Sequence, residues 1–170
     1  FARMPKPILK NNDLDLIINE NIKLLKELDP KIEINFTHSN KIIMLNSDNE
    51  QLSRVFFNLI KNSIESIQDK YKDSPDFKGK IDIEIIDNND YIEFIVRDNG
   101  IGFEIFANNI KDILNPYFTT KNKGTGLGLA IVNKIVNDHN ATINFISIKE
   151  GAKIIIKFLK DDNWNINYRR

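Results

Sequence analysis

Two glycine-bearing stretches constrain this chain most: Asp98-Asn99-Gly100-Ile101-Gly102 and Gly124-Thr125-Gly126-Leu127-Gly128-Leu129. The apolar run Tyr91-Ile92-Glu93-Phe94-Ile95-Val96 leads into the first and reads as a strand. Leu129, Val132, Ile135 and Val136 keep helical spacing after the second, so a helix begins inside it, at Gly126 or Leu127, and runs to about Asn137. The fold must therefore end one strand and start one helix where the main chain can be approached closely. Glycine has no Cβ, and a helix start offers unpaired N–H groups. Between the two stretches, residues 103 to 123 show no sustained apolar period. A structureless segment of that length is uncommon in a compact domain and usually has a function.

The rest of the pattern alternates helices and strands. Leu14, Ile17, Ile18, Ile22, Leu25 and Leu28 predict an amphipathic helix from Asp13 to Leu28, stopped at Asp29-Pro30. Lys31 to Phe36 and Lys41 to Leu45 read as a strand pair about a turn at Thr37 to Asn40. Ser47-Asp48-Asn49-Glu50 has capping-box spacing and opens the longest helix, to about Lys70. Its inner face is Leu52, Val55, Phe56, Leu59, Ile60, Ser63, Ile64 and Ile67; Gln51, Asn58, Asn62 and Glu65 cluster elsewhere. Lys80 to Ile86 and Tyr91 to Arg97 form a hairpin, and Ala141 to Ile148 with Ala152 to Leu159 form another. Three long helices and at least six strands are expected. The Pro-punctuated opening, Phe1 to Lys10, reads either as a disordered tail or as the end of an upstream helix and its linker. Asp161 to Arg170 reads as a tail.

Composition removes several classes of function. The 170 residues fit one domain with a real core. With 24 basic and 24 acidic residues the net charge is zero, which gives no support for nucleic-acid binding. There is no cysteine, hence no disulfide framework, thiol nucleophile or thiolate zinc site. His38 and His139 lie far apart in the sequence, without metal-ligand spacing. No run approaches the length of a membrane span, though an anchor or a further domain could lie upstream of Phe1.

The chemistry concentrates on a few residues, each with a plain structural alternative. Asp98 ends an apolar strand, where a carboxylate can accept the amino hydrogen of a purine; the alternative is an ordinary Asp-Asn-Gly turn. Gly124, Gly126 and Gly128 sit at a helix start suited to phosphate; the alternative is a tight helix entry. Asn62 could give a side-chain oxygen to magnesium, or simply face solvent. Lys121, after Phe118-Thr119-Thr120, could reach a phosphate or stay solvated. Two familiar nucleotide signatures are absent: no G-x-x-x-x-G-K-[ST] occurs, and Leu129 occupies the last glycine position of G-x-G-x-x-G.

In order and spacing, these residues resemble the catalytic ATP-binding domain of bacterial sensor histidine kinases, within the superfamily shared with gyrase, Hsp90 and MutL. Asn58-Leu59-Ile60-Lys61-Asn62-Ser63-Ile64-Glu65-Ser66 resembles the N box, and Asp98 to Gly102 the first glycine box. Pro116-Tyr117-Phe118-Thr119-Thr120-Lys121 resembles the F box, and Gly124 to Leu129 the second glycine box. The N-box and F-box wording is closest to nitrogen-regulation kinases of the NtrY and NtrB type. Phe1 to Pro7 is similar to the segment leaving the dimerisation helices of NtrY-type kinases.

The resemblance implies an α/β (α+β) two-layer sandwich, the Bergerat ATP-binding fold, with a mixed sheet packed on three helices and a long ATP lid at residues 103 to 123. The catalytic domain would span 12 to 160, after a linker at 1 to 11 and before a tail at 161 to 170. Its cofactors would be ATP and Mg2+. Asn62 matches the magnesium ligand and Asp98 the adenine-recognising aspartate, with Gly100 and Gly102 on the base side. Asn58 would join the nucleotide contacts; Phe118, Thr120 and Lys121 belong to the lid. Gly124, Thr125, Gly126, Leu127, Gly128 and Leu129 match the phosphate-side loop. Asn62 and Lys121 would carry the catalytic charge stabilisation.

Some residues depart from the pattern. His139-Asn140-Ala141-Thr142-Ile143 lacks the two glycines that usually follow this histidine, and Ser63 stands where alanine is usual. Asn58 stands where ATP-hydrolysing relatives have glutamate, and an amide is no general base toward water. The implied activity is transfer of the γ-phosphate to a histidine on a separate dimerisation domain of the same protein. From there it would pass to a response regulator of the NtrX or NtrC kind. Neither His38 nor His139 is expected to accept phosphate. The domain would be cytoplasmic, in a homodimeric parent anchored in the bacterial inner membrane. A protein-serine kinase on the same fold and a non-catalytic nucleotide-binding or docking module are the rival readings.

Overall fold

Alternating isoleucines build the sheet. Ile81, Ile83 and Ile85 are buried between Lys80, Asp82 and Glu84, so one face of their strand meets the core and the other meets water. The computed structural model describes residues 4–37, 41–103, 110–119 and 124–160. Its elements are β1 (Lys10–Asp13), α1 (Leu14–Lys26), β2 (Ile32–Thr37), β3 (Met44–Ser47), α2 (Asn49–Tyr71), β4 (Gly79–Asp87), β5 (Tyr91–Asp98), a 3-10 turn (Ile110–Leu114), α3 (Gly128–Asp138), β6 (Ala141–Ile148) and β7 (Gly151–Leu159).

The main sheet has the order β2-β4-β5-β7-β6. β2 runs parallel to β4; the other neighbours are antiparallel. A mixed sheet packed against three helices is the architecture expected. α2 is the central helix, flanked by α1 and α3 and packed on β4 and β5. Phe56 of α2 meets Phe94 of β5 with ring centroids 4.7 Å apart, at the middle of this interface.

Strand pairing corrects one expectation. The segments around residues 32–37 and 44–47 are strands, but they do not pair with each other. β2 joins β4, on the far side of α2 in sequence, while β3 pairs antiparallel with β1 in a separate two-stranded ribbon. β1 itself, Lys-Asn-Asn-Asp, has no apolar alternation and straddles the end of the segment read as tail or linker, Phe1 to Lys10, and the start of the expected first helix. That segment is fastened to the domain. Ile8 N–H donates to Asp48 Oδ2 at 2.8 Å, and Gln51 Nε2 donates to the Pro5 carbonyl at 2.9 Å.

Helix ends also differ from the sequence reading. α1 is capped by Asp13, which accepts from the N–H groups of Asp15 and Leu16, and it ends at Lys26. Leu28 therefore lies beyond the helix and is exposed rather than on its inner face. The cap of α2 is Asp48, accepting from Gln51 N–H at 3.0 Å; Ser47 is the buried end of β3. Gln51 is buried, apart from the polar surface formed by Asn58 and Glu65.

Candidate functional site

Side chains of β5 alternate, and Ile92, Phe94 and Val96 point into the core. Asp98 is next in that parity, so the strand delivers a carboxylate where a core aliphatic would stand. It is 7 % exposed, paired in register with Ile81 on one side and Ala152 on the other. Oδ2 accepts from Ser63 Oγ at 2.8 Å, and Oδ1 accepts from Gly100 N–H at 2.9 Å. Burial pushes its pKa above the usual carboxylate value, opposed by hydrogen bonds from Ser63, Gly100 and Ala152 and by the charge of Lys70.

Asp98 closes one end of a cleft of about 390 Å³ between α2, the end of β5, the start of β7 and the start of α3. Ile101, Ile113, Leu129, Ala152 and Ile154 supply apolar wall; Lys61, Glu65, Ser66 and Asp69 supply a polar edge from α2. Asn58 and Asn62 also face it, one turn apart. Asn58 Nδ2 donates to the Arg54 carbonyl at 2.8 Å, while its Oδ1 lies close to Gly128: a Cβ there would meet it at 3.0 Å. Asn62 makes no side-chain hydrogen bond among the described residues, which leaves its carboxamide oxygen available to a hard cation.

The glycines serve close backbone packing. Gly102 has φ +79, and a Cβ on it would stand 2.6 Å from the Gly151 carbonyl oxygen. Gly151 in turn presses on the Asp98 carbonyl, so the β6–β7 turn buttresses the first glycine stretch. Gly126 has φ +68 and lies against the backbone of Tyr117, itself at φ 67. The second glycine stretch is thus seated on the Pro116-Tyr117-Phe118 segment. Gly100 packs on Ser66, whose Oγ accepts from Ile101 N–H at 2.9 Å.

α3 starts at Gly128 with Leu127 as N-cap and no side-chain cap, unlike α1 and α2. Its first turn holds no acidic residue. Uncapped N–H groups at this end suit an anion.

The structure brings Asn58, Asn62, Asp98, Gly102, Phe118, Gly124, Thr125, Gly126, Gly128 and Leu129 to one cleft. Gly100 and Leu127 adjoin it without lining it. His38 and, of the expected lid, residues 104–109 and 120–123, with Thr120 and Lys121 among them, lie outside the described residues. Sequence reasoning missed the contributions of Ser66, Gly151 and Ala152, which act through contacts across the fold. Gly151-Ala152 alone carried a local signal, a glycine at a hairpin turn.

A profile of the family described as histidine kinase-, DNA gyrase B- and HSP90-like ATPases matches residues 47–162, more than half of the chain. The chain belongs to this family. An NtrY-like sensor histidine kinase of Rickettsia conorii is 35% identical over 159 residues, covering 93% of this chain and 25% of that protein. The nitrogen regulation protein NtrY of Azorhizobium caulinodans is 33% identical over 153 residues, covering 89% and 19%. The chain thus spans about a quarter or less of these relatives. Among solved structures, the nucleotide-free catalytic domain of histidine kinase ThkA is similar with TM-score 0.77 and 27% identity, over 90% of this chain and 96% of that one. This is the ATP-binding catalytic domain of a sensor histidine kinase, related to NtrY-like kinases.

His139 has a structural place in it. It is buried at the end of α3, its Nε2 accepts from Asp48 N–H at 3.0 Å, and its Nδ1 meets the Ile135 carbonyl at 2.8 Å. Both nitrogens are engaged, so it staples the end of α3 to the start of α2. Asn140 takes the left-handed conformation, φ 51, where the family usually has glycine. Asparagine tolerates that region, so the turn survives the change.

Proposed function

We propose that the cleft binds Mg-ATP and presents the γ-phosphate to a histidine on a separate dimerisation domain of the same protein. That histidine would then serve an aspartate on a response regulator, of the NtrX or NtrC kind by similarity to the NtrY relatives. The parent would be a homodimer anchored in the bacterial inner membrane, with this domain on the cytoplasmic side and no nucleic-acid partner. No helix among the described residues is long and apolar enough to cross a membrane.

The observation that carries the reading is Asp98: a buried carboxylate at the end of a mostly apolar cleft, with donors on both oxygens. An ionised carboxylate only accepts, so it selects a ligand edge that donates, such as the amino group of adenine. Asn62 would hold the magnesium ion, which when bound neutralises charge on the phosphates. The α3 start and Thr125 would receive the phosphate chain, with Lys121 adding positive charge and Thr120 and Phe118 closing over it. Asn58 cannot take a proton from water, which favours holding ATP for transfer. Catalysis by this domain would then be positioning and charge stabilisation.

A labelling experiment tests the division of roles. The isolated domain, incubated with γ-labelled ATP, should acquire no label; adding the separately expressed dimerisation domain should place acid-labile label on that domain. Strong acid-labile label on this domain alone would overturn the assignment.

A further inference from the structure

Ser63 follows Asn62 on α2 and is 2 % exposed. A serine inside a helix commonly returns its hydrogen to the carbonyl one turn back. Ser63 instead donates to Asp98 Oδ2 at 2.8 Å, tying α2 to the end of β5 across 35 positions of sequence. The Gly100 N–H holds the other oxygen at 2.9 Å. Two donors from different elements fix the carboxylate plane as well as its place. Alanine, usual here in the family that the chain resembles, would leave rotation of that plane to the backbone donors of Gly100 and Ala152.

We propose that Ser63 is a positioning residue for base recognition: its hydroxyl sets the rotation of the Asp98 carboxylate so that a free lone pair faces the cleft and reads a 6-amino donor. This rests on the reading of the cleft as an adenine-nucleotide site. A carboxylate has about four lone-pair positions, and its protein partners here all donate. What remains for a ligand is acceptor capacity only. A serine that merely joined helix to sheet would affect every nucleotide alike; one that orients Asp98 acts only where the base offers the amino hydrogen.

The test is a cycle between the side chain and the ligand group. Affinities for ADP and for purine riboside diphosphate, which lacks the 6-amino group, are measured by calorimetry on wild type, Ser63→Ala and Ser63→Cys, together with melting temperatures. Ser63→Ala should lose roughly tenfold in ADP affinity, the scale of one hydrogen bond to a charged group. Its affinity for the deaminated ligand should stay within about twofold of wild type on the same reasoning. Ser63→Cys, similar in shape and a weaker donor, should fall between. In an Asp98→Asn background, Ser63→Ala should cost nothing further. Equal losses for the two ligands, or an unchanged ADP affinity in Ser63→Ala, would overturn the proposal. Failure of the wild type to bind ADP at all would instead overturn the nucleotide reading on which it rests, and the proposal with it.

Discussion

Among the described residues, Asp98 and His139 are buried side chains whose ionisation the fold displaces, and they act in opposite directions. Burial raises the pKa of Asp98, so the folded state prefers its protonated form. Stability from this group is full below the unfolded carboxylate value of about 3.9 and is lost as pH rises through the folded value. At neutral pH the ionised carboxylate is therefore a cost, in keeping with its proposed role in recognition. Asp98→Asn is expected to melt at or above the wild-type temperature at neutral pH, with the difference narrowing in acid; thermal melts across pH check this. His139 is the reverse: burial lowers its pKa, and the neutral ring is the form that accepts from Asp48 N–H. Its contribution is present above the unfolded value of about 6.5 and is lost as pH falls through the folded value. Denaturant melts should show stability declining on the acid side of that point. His139→Ala should remove that component of the decline and cost roughly 1–3 kcal/mol at neutral pH, by orphaning the Asp48 donor and opening a cavity.

At the scale of elements, α2 does two jobs with two faces. Its apolar face centres the core, while Asn58, Asn62 and Ser66 face the cleft one turn apart. Asn62→Ala should leave the helix intact, since alanine favours it, yet reduce the gain in ADP affinity that Mg2+ gives over EDTA. An unchanged Mg2+ effect would remove Asn62 as the ligand. Gly126→Ala should disturb the phosphate side: a Cβ at its positive φ costs about 1–2 kcal/mol, and the Tyr117 backbone blocks it. Nucleotide affinity should fall while the sheet keeps its melting behaviour; circular dichroism with calorimetry separates the two. The same scale shows what the sequence could disclose. Helices and hairpins were legible because their apolar periods and turns are local. The partners of β2 and β3 were not, since alternation at Ile32–Thr37 marks a strand without naming its neighbour. β1 left no trace because its four residues are polar and its register comes from β3.

Across the whole molecule, the boxes along the sequence converge on one cleft because β5 ends there, β7 and α3 begin there and the polar face of α2 runs past it. Their order made Asp98, Asn62 and the glycine stretches readable. The buttress from Gly151, the hydroxyls of Ser63 and Ser66 and the His139 staple were not, because each works through a residue 35 to 91 positions away or through backbone packing. The central claim is that this cleft reads adenine through one buried carboxylate. Calorimetric titration of wild type and Asp98→Asn with ADP and GDP tests it most directly. The account predicts binding of ADP over GDP by the wild type, and a loss of about tenfold or more in ADP affinity in a folded Asp98→Asn protein, the scale of a charge-assisted hydrogen bond. Equal affinity for the two nucleotides, or an ADP affinity unchanged by the substitution, would contradict it.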